Sequence, residues 1–190
     1  FAEAVDFLEC GVAGGDIIIE VMPGTYNESV EINSIYGAGP NQTVTFDGLN
    51  ADSVTVRVSG GWVFEVVDVQ YLTLTNMTLE NTSSSGGGIW ASGNSNNCTF
   101  TDLSIEGQFN TFSSSAWAVQ ISDALSSGST DLHSFTISNN YMLGFYGAVN
   151  IYGGSNSIGN RSLNNRIINN VMERPYYYGI RDYYQNGIEI

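Results

Sequence analysis

The sequence predicts an all-β solenoid, a stack of about six short coils with a small helix over one end. Three observations predict it: two ladders of equivalent strands, a composition poor in helix formers, and an amphipathic opening segment. In the first ladder, Gly88-Ile89-Trp90-Ala91, Ala118-Val119-Gln120-Ile121, Ala148-Val149-Asn150-Ile151 and Gly179-Ile180-Arg181-Asp182 align on Ile89, Val119, Val149 and Ile180, with steps of 30, 30 and 31. A fixed period in this range marks stacked supersecondary units. In the second, the triplets Val44/Asp47/Leu49, Leu74/Met77/Leu79, Phe100/Leu103/Ile105, Ile137/Asn140/Met142 and Ile167/Asn170/Met172 share one internal spacing and step by 30, 26, 37 and 30. The strand face recurs while the connections vary, as when insertions fall in loops on one side of a solenoid. The longest step contains Ser126-Ser127-Gly128-Ser129, a loop signal. Asn140 and Asn170 share one register and are expected to stack at a bend, each amide bonding to the neighbouring coil.

Composition agrees. The 190-residue chain has no Lys, and Gly, Ser, Thr and Asn separate short Val, Ile, Tyr and Phe strands, the pattern of an all-β protein with many turns. A net charge of −14 opposes nucleic acid or an anionic membrane as partner. No apolar run approaches the length of a membrane span.

The elements follow in order. Phe1, Val5 and Leu8 share a helical face with Ala4 beside them, and Gly11 ends the pattern, so residues 1–11 are read as a helix capping the stack. Coils occupy 16–190 of one domain. Ile17-Ile18-Ile19-Glu20-Val21 is the first strand, Pro23-Gly24-Thr25-Tyr26 a turn, and Glu28 to Ile32 the next strand. Alternating runs follow at Val44-Thr45-Phe46, Val54-Thr55-Val56-Arg57-Val58 and Trp62-Val63-Phe64-Glu65-Val66, placing alternate side chains inward and outward. From Tyr71 the two ladders take over. The chain closes on Gly187-Ile188-Glu189-Ile190, read as a strand in mid-stack, so further coils or domains are expected beyond it.

The segment from Ala2-Glu3-Ala4-Val5 through Val21-Met22-Pro23-Gly24-Thr25-Tyr26-Asn27-Glu28, with Ile137-Ser138-Asn139-Asn140 and Ile168-Asn169-Asn170 later on, resembles the right-handed parallel β-helix proteins of the pectin-lyase-like group. The resemblance spans nearly the whole chain. It implies a right-handed parallel β-helix, and its opening is most similar to modules of large secreted bacterial surface proteins. It does not select a function, because this solenoid serves polysaccharide lyases, glycoside hydrolases, phage tailspikes and adhesins. The lyase branch implies acidic calcium ligands and a basic Arg or Lys within Arg-x-Pro-x-x-Arg. Here Glu173-Arg174-Pro175 puts Pro175 directly after Arg174, and the next Arg is Arg181. The hydrolase branch implies an Asp-Asp pair, Gly-His-Gly and Arg-x-Lys, none of which occurs. Paired carboxylates are the minimum for glycoside hydrolysis, and the coil-facing acids read as scattered, with no two adjacent in the aligned strands. His133, the single histidine, reads as a loop or strand-edge residue. No catalytic residue is assigned.

The functional candidate is a surface column. If Ile89, Val119, Val149 and Ile180 point inward, Trp90, Gln120, Asn150 and Arg181 point outward and stack ~4.8 Å apart. Two residues further on, the column continues through Ser92, Ser122, Tyr152 and Tyr183. Rings pack on sugar C–H faces while amides and a guanidinium bond hydroxyls and carboxylates, so the column suits a glycan lying along the axis. Residues 161–190 carry four Arg against Glu173, Asp182 and Glu189, a balance of 4 − 3 = +1, leaving −15 elsewhere. Arg174 and Arg181 flank Tyr176-Tyr177-Tyr178, and this basic, aromatic end suits an acidic glycan. Alternatively, these tyrosines pack on a neighbouring coil.

Asp182 stands where Ala91, Ile121 and Ile151 point inward, so either the last coil opens there or Asp182 meets a partner. Calcium is compatible with an acidic secreted protein, but no Asp-x-Asp-x-Asp loop is present, and no metal or other cofactor is assigned. Cys10 and Cys98 fall on distant elements and are expected as buried free thiols. Asn-x-Ser/Thr matches occur at Asn27, Asn41, Asn76, Asn81, Asn97 and Asn160. The favoured reading is a non-catalytic, structural or adhesive module of a secreted or cell-surface protein with a glycan as partner. The alternatives are a polysaccharide lyase or glycoside hydrolase with part of its site outside this segment, and a trimeric phage-type spike.

Overall fold

The structure, a computed structural model, describes residues 1–110, 112–122, 132–153 and 161–190. The Ser126-Ser127-Gly128-Ser129 loop and Asn160 lie outside the described residues. Eighteen of its strands form three parallel six-stranded sheets. Sheet A contains Ile17–Glu20, Val44–Asp47, Leu72–Thr75, Thr99–Thr101, Thr136–Ser138 and Arg166–Ile168. Sheet B contains Gly24–Tyr26, Val54–Val58, Thr78–Asn81, Ser104–Glu106, Tyr141–Leu143 and Val171–Glu173. Sheet C contains Val30–Asn33, Trp62–Val67, Gly87–Ser92, Trp117–Ser122, Gly147–Tyr152 and Tyr178–Tyr183. The chain visits A, B and C in turn and pairs each strand with its counterpart one coil away, which makes a parallel β-solenoid. Six rungs enclose about five turns, slightly fewer than the six coils expected, and five steps rise ~24 Å.

Alternation builds the core. Phe46, Leu74, Phe100 and Ile137 from sheet A, Val56, Leu79 and Ile105 from B, and Phe64, Ile89, Val119 and Val149 from C are fully buried. The corners are set by left-handed residues. Asn76, Asp102, Asn139 and Asn169 each turn the chain from A to B with φ of 54–56°, a region that Asn and Asp enter at least cost. Asn140 and Asn170 follow at two of these corners and stack as expected, Asn140 Nδ2 donating to Asn170 Oδ1 at 3.0 Å. The helix Ala2–Cys10 buries Val5 and Leu8 against the first coil, and Phe1 plugs the end, 5.3–5.8 Å from the rings of Tyr26, Phe46 and Phe64.

Four expectations are corrected. The first triplet of the second ladder is displaced: Val44 pairs with Leu72, and it is Phe46 that pairs with Leu74. Leu49 is 57% exposed with φ 62°, because the extra residues between Asp47 and Val54 form a corner loop, and Val56 is the true partner of Leu79. Cys10 is exposed while Cys98 is buried, and both thiols are free; the helix turns only its Val5 and Leu8 face to the coil. Acids do recur as rung neighbours, at Glu20 and Asp47, Glu31 and Glu65, and Glu80 and Glu106. The first ladder began at Ile89, beyond the coils that hold most of these pairs.

At the far end the interior thins. Ile151 is fully buried, but Asp182 in the same register is exposed, so the last rung opens where the charge falls. The closing strand is short: Gln185–Asn186 pairs with Ser162–Leu163, and Glu189 bridges to Arg166. Among the described residues no helix is long and apolar enough to cross a membrane.

Candidate functional site

Sheet C supplies the site because its strands are the longest and most regular, giving each rung room for two outward side chains. Register runs Glu31, Glu65, Trp90, Gln120, Asn150, Arg181, a single column over six rungs. Its last four members line one open cleft of about 520 Å³ together with Trp62, Ser85, Gly86, Ser114 and Ser115. The cleft spans three rung steps, ~14 Å. The rings of Trp62 and Trp90 lie 6.1 Å apart at 35° and form an aromatic wall. Trp90 Nε1 donates to the Ser122 carbonyl at 3.1 Å, which fixes that indole.

The two amides have different standing. Gln120 is partly exposed and donates from Nε2 to Ser122 Oγ at 2.8 Å. Asn150, expected on the surface, is only 4% exposed. Its Oδ1 accepts from Arg181 Nε at 3.0 Å, and the long guanidinium covers it. Arg181 lies over the ring of Trp117, 4.4 Å from its centroid, and 5.4 Å from that of Tyr178. Arg57 pairs with Glu80 and Arg166 with Glu189, whereas Arg181 has no carboxylate within ion-pair distance among the described residues. Its positive charge thus stands at one end of the cleft, oriented by an amide and two rings.

Beneath this arrangement lies a feature that the sequence reading passed over. Two residues before the inward column, Trp62, Gly87, Trp117, Gly147 and Tyr178 occupy one register. A methyl at Gly87 would collide with Trp62, and one at Gly147 with Trp117. Each indole therefore lies flat over the glycine of the next rung, and Trp117 stacks on Tyr178 at 5.9 Å and 18°. Trp117 is fully buried and donates from Nε1 to the Ser114 carbonyl at 2.9 Å. The alternation was legible as Trp or Tyr against Gly at the spacing of the ladder.

The remaining candidates are dispersed. Ser92 and Ser122 are buried, while Tyr152 and Tyr183 are 42% and 45% exposed with rings 5.2 Å apart. A hydrogen bond to Tyr184 holds the Tyr152 phenol above its ordinary pKa. Arg174 stands over Phe109, 4.4 Å from its centroid. Tyr177 is 66% exposed and stacks on Tyr146 at 5.7 Å. Neither lines the cleft; both sit at the corner between sheets B and C. His133 Nδ1 accepts from the Leu163 amide at 3.0 Å in a strand-edge bridge.

At the other end of the column, desolvation first and the Glu31 carboxylate second raise the Glu65 carboxyl above its ordinary value. Among the described residues no three His, Cys, Asp or Glu side chains converge to hold a metal ion. The sequon Asn81 is 1% exposed, its amide donating to the Gly61 carbonyl at 2.8 Å, so it is closed to modification in the folded chain. The chain matches no family model, no curated protein sequence and no solved structure.

Proposed function

We propose that the chain is a non-catalytic β-solenoid module of a secreted or cell-surface protein that binds a polysaccharide in the sheet C cleft. The observation that carries the reading is the composition of one continuous groove: an indole pair, the Gln120 amide and a guanidinium without a carboxylate partner among the described residues, held in place by the buried Asn150 amide. Indole faces take sugar C–H surfaces, the Gln120 amide takes a hydroxyl, and an oriented guanidinium takes a carboxylate. An acidic glycan running along the axis meets all three. The test is isothermal titration against neutral and uronate polysaccharides. Arg181→Ala is expected to weaken uronate binding about 10- to 150-fold, the worth of one charge-assisted hydrogen bond. Trp90→Ala weakens both classes about 2- to 10-fold. Unchanged affinity in both variants refutes the reading.

One observation favours a second, hydrolytic reading. Glu31 and Glu65 are rung neighbours, with backbones ~4.8 Å apart, and the raised carboxyl of Glu65 suits a general acid. New reducing ends that appear with wild type and vanish in Glu65→Gln would replace the binding module with a glycosidase.

A further inference from the structure

At the corner between sheets B and C, beside the cleft, four rings form a terrace open to solvent: Phe109, Phe112, Tyr176 and Tyr177 are 43–73% exposed. Contacts beneath them hold them in place. Tyr177 stacks on Tyr146 at 5.7 Å and 9°, so one face of its ring is covered and the other stays open. Tyr176 meets Phe112 edge-on at 4.6 Å. The amides of Tyr176 and Tyr177 donate to the carbonyls of Phe145 and Tyr146 at 2.9 Å, which ties this segment to the rung before it. The terrace is therefore ordered before anything binds.

A charge stands on it. Arg174 lies over the Phe109 ring, 4.4 Å from its centroid, with no carboxylate within ion-pair distance among the described residues. The acids on the adjoining sheet B strands are engaged elsewhere: Glu173 accepts from the Tyr141 hydroxyl at 2.8 Å, and Glu106 from Ser104 Oγ at 2.9 Å. Arg181 has the same standing in the cleft, a guanidinium over Trp117 at 4.4 Å without an acid, whereas Arg57 and Arg166 are paired with Glu80 and Glu189. In a chain of net charge −14, two ring-backed guanidiniums free of carboxylates are two places that attract an anion. Rings connect them. Trp117 meets Tyr146 at 5.8 Å and 76°, and Tyr146 carries Tyr177, so an aromatic seam runs from cleft to terrace. The loop that sets Phe112 on the terrace also sets Ser114 and Ser115 against the cleft.

An apolar partner would bury Arg174 without a counter-charge, and a small inorganic anion would leave the rings uncovered. An acidic sugar meets both, its C–H face on Tyr177 and its carboxylate on Arg174. We propose that the terrace is a second carbohydrate site, which takes a uronate-bearing stretch of polysaccharide beside the one held in the cleft. This rests on the reading of the chain as a binder of acidic glycans, and it makes the module bivalent. A long polymer then gains avidity that a short one does not.

The test is isothermal titration with a uronate trisaccharide, and two ligands per wild-type chain are expected. Arg174→Asn, which suits the left-handed backbone there, with φ 55°, weakens one of the two binding events about 10- to 150-fold. Tyr177→Ala weakens the same event about 2- to 10-fold, and Arg181→Ala weakens the other. One ligand per wild-type chain, lost with Arg181→Ala and indifferent to Arg174→Asn and Tyr177→Ala, overturns the second site while the cleft stands. One ligand lost with Arg174→Asn and indifferent to Arg181→Ala keeps the terrace and overturns the cleft. No binding of the trisaccharide overturns both. Sedimentation showing a wild-type dimer that dissociates in Tyr177→Ala would put a second copy on the terrace in place of sugar, and also overturns the proposal.

Discussion

Replacing Asn140 by Ala removes the side chain that ties three consecutive rungs together. Asn140 is 1% exposed. Its Oδ1 accepts from the Leu103 amide at 3.0 Å, while Nδ2 donates to the Phe100 carbonyl at 2.9 Å and to Asn170 Oδ1 at 3.0 Å. Alanine leaves the Leu103 amide buried without that acceptor, at a cost of about 1–3 kcal/mol, and deletes bonds that contribute about 1 kcal/mol each. The sum is about 3–5 kcal/mol, a large part of the ~5–15 kcal/mol that holds a domain together. For a chain of this length, that lowers the melting temperature by roughly 6–20 °C. Asn170 makes the same kind of bonds one rung further out, but it is only partly buried, so Asn170→Ala costs less. Asn140→Asp retains the acceptor for Leu103 but sets a carboxylate against two oxygens, and its penalty grows as pH rises. Urea denaturation followed by circular dichroism measures all three. A loss below about 0.5 kcal/mol for Asn140→Ala, the size of an ordinary surface change, or a larger loss for Asn170→Ala, refutes the ladder as a stabilising device.

Gly147→Ala drives a methyl into the Trp117 ring beneath the cleft; overpacking of this kind costs about 1–3 kcal/mol, measured by the same denaturation, and shifts Trp fluorescence. Glu65 keeps its proton longer in the folded state than in the unfolded chain, so its contribution to stability is present below its ordinary value of 4.5 and is lost as pH rises through the raised folded value. The melting temperature of Glu65→Gln is therefore expected to gain on wild type as pH climbs above that point, and parallel profiles refute it. Burial pushes the Cys98 thiol up to about 12, while Cys10 is exposed; native protein should titrate one thiol with Ellman's reagent and unfolded protein two.

The solenoid was legible because the repeat is carried by core residues that no rung can change freely. Ile89, Val119 and Val149 are fully buried in the same register, so the thirty-residue step reports packing directly. The ladder faltered where coils carry insertions. Val30, Phe64 and Ile89 are rung partners, yet they stand 34 and 25 residues apart, so Glu31 and Glu65 were invisible as neighbours. Outward positions were legible as a column but not as exposures. Asn150 is buried because Arg181 lies over it, a contact between rungs that no single strand announces. Arg174 and Tyr177 sit near Arg181 in sequence but leave the cleft, since the corner at Arg174, with φ 55°, turns them away from sheet C.

Column identity also explains how one backbone can carry several unlike surfaces. A parallel solenoid stacks equivalent positions, so a residue type that recurs at the period becomes a stripe, and three sheets give three independent stripes. On sheet C the stripe changes character along the axis, from the Glu31 and Glu65 carboxylates through Trp90 to the guanidinium of Arg181. A ligand bound there experiences a field with direction, so a chain with a single anionic group has one favoured polarity. On sheet A the stripe repeats Thr across Thr45, Thr73, Thr99 and Thr136, bounded by Ile18 on the first rung and Arg166 on the last. The sheet C arrangement suits a polymer with two different ends. Because the two faces share a core but no outward residue, Thr99→Tyr should leave glycan affinity intact. Loss of glycan affinity in folded Thr99→Tyr would mean that the faces are coupled through the core, contrary to the independence of the columns.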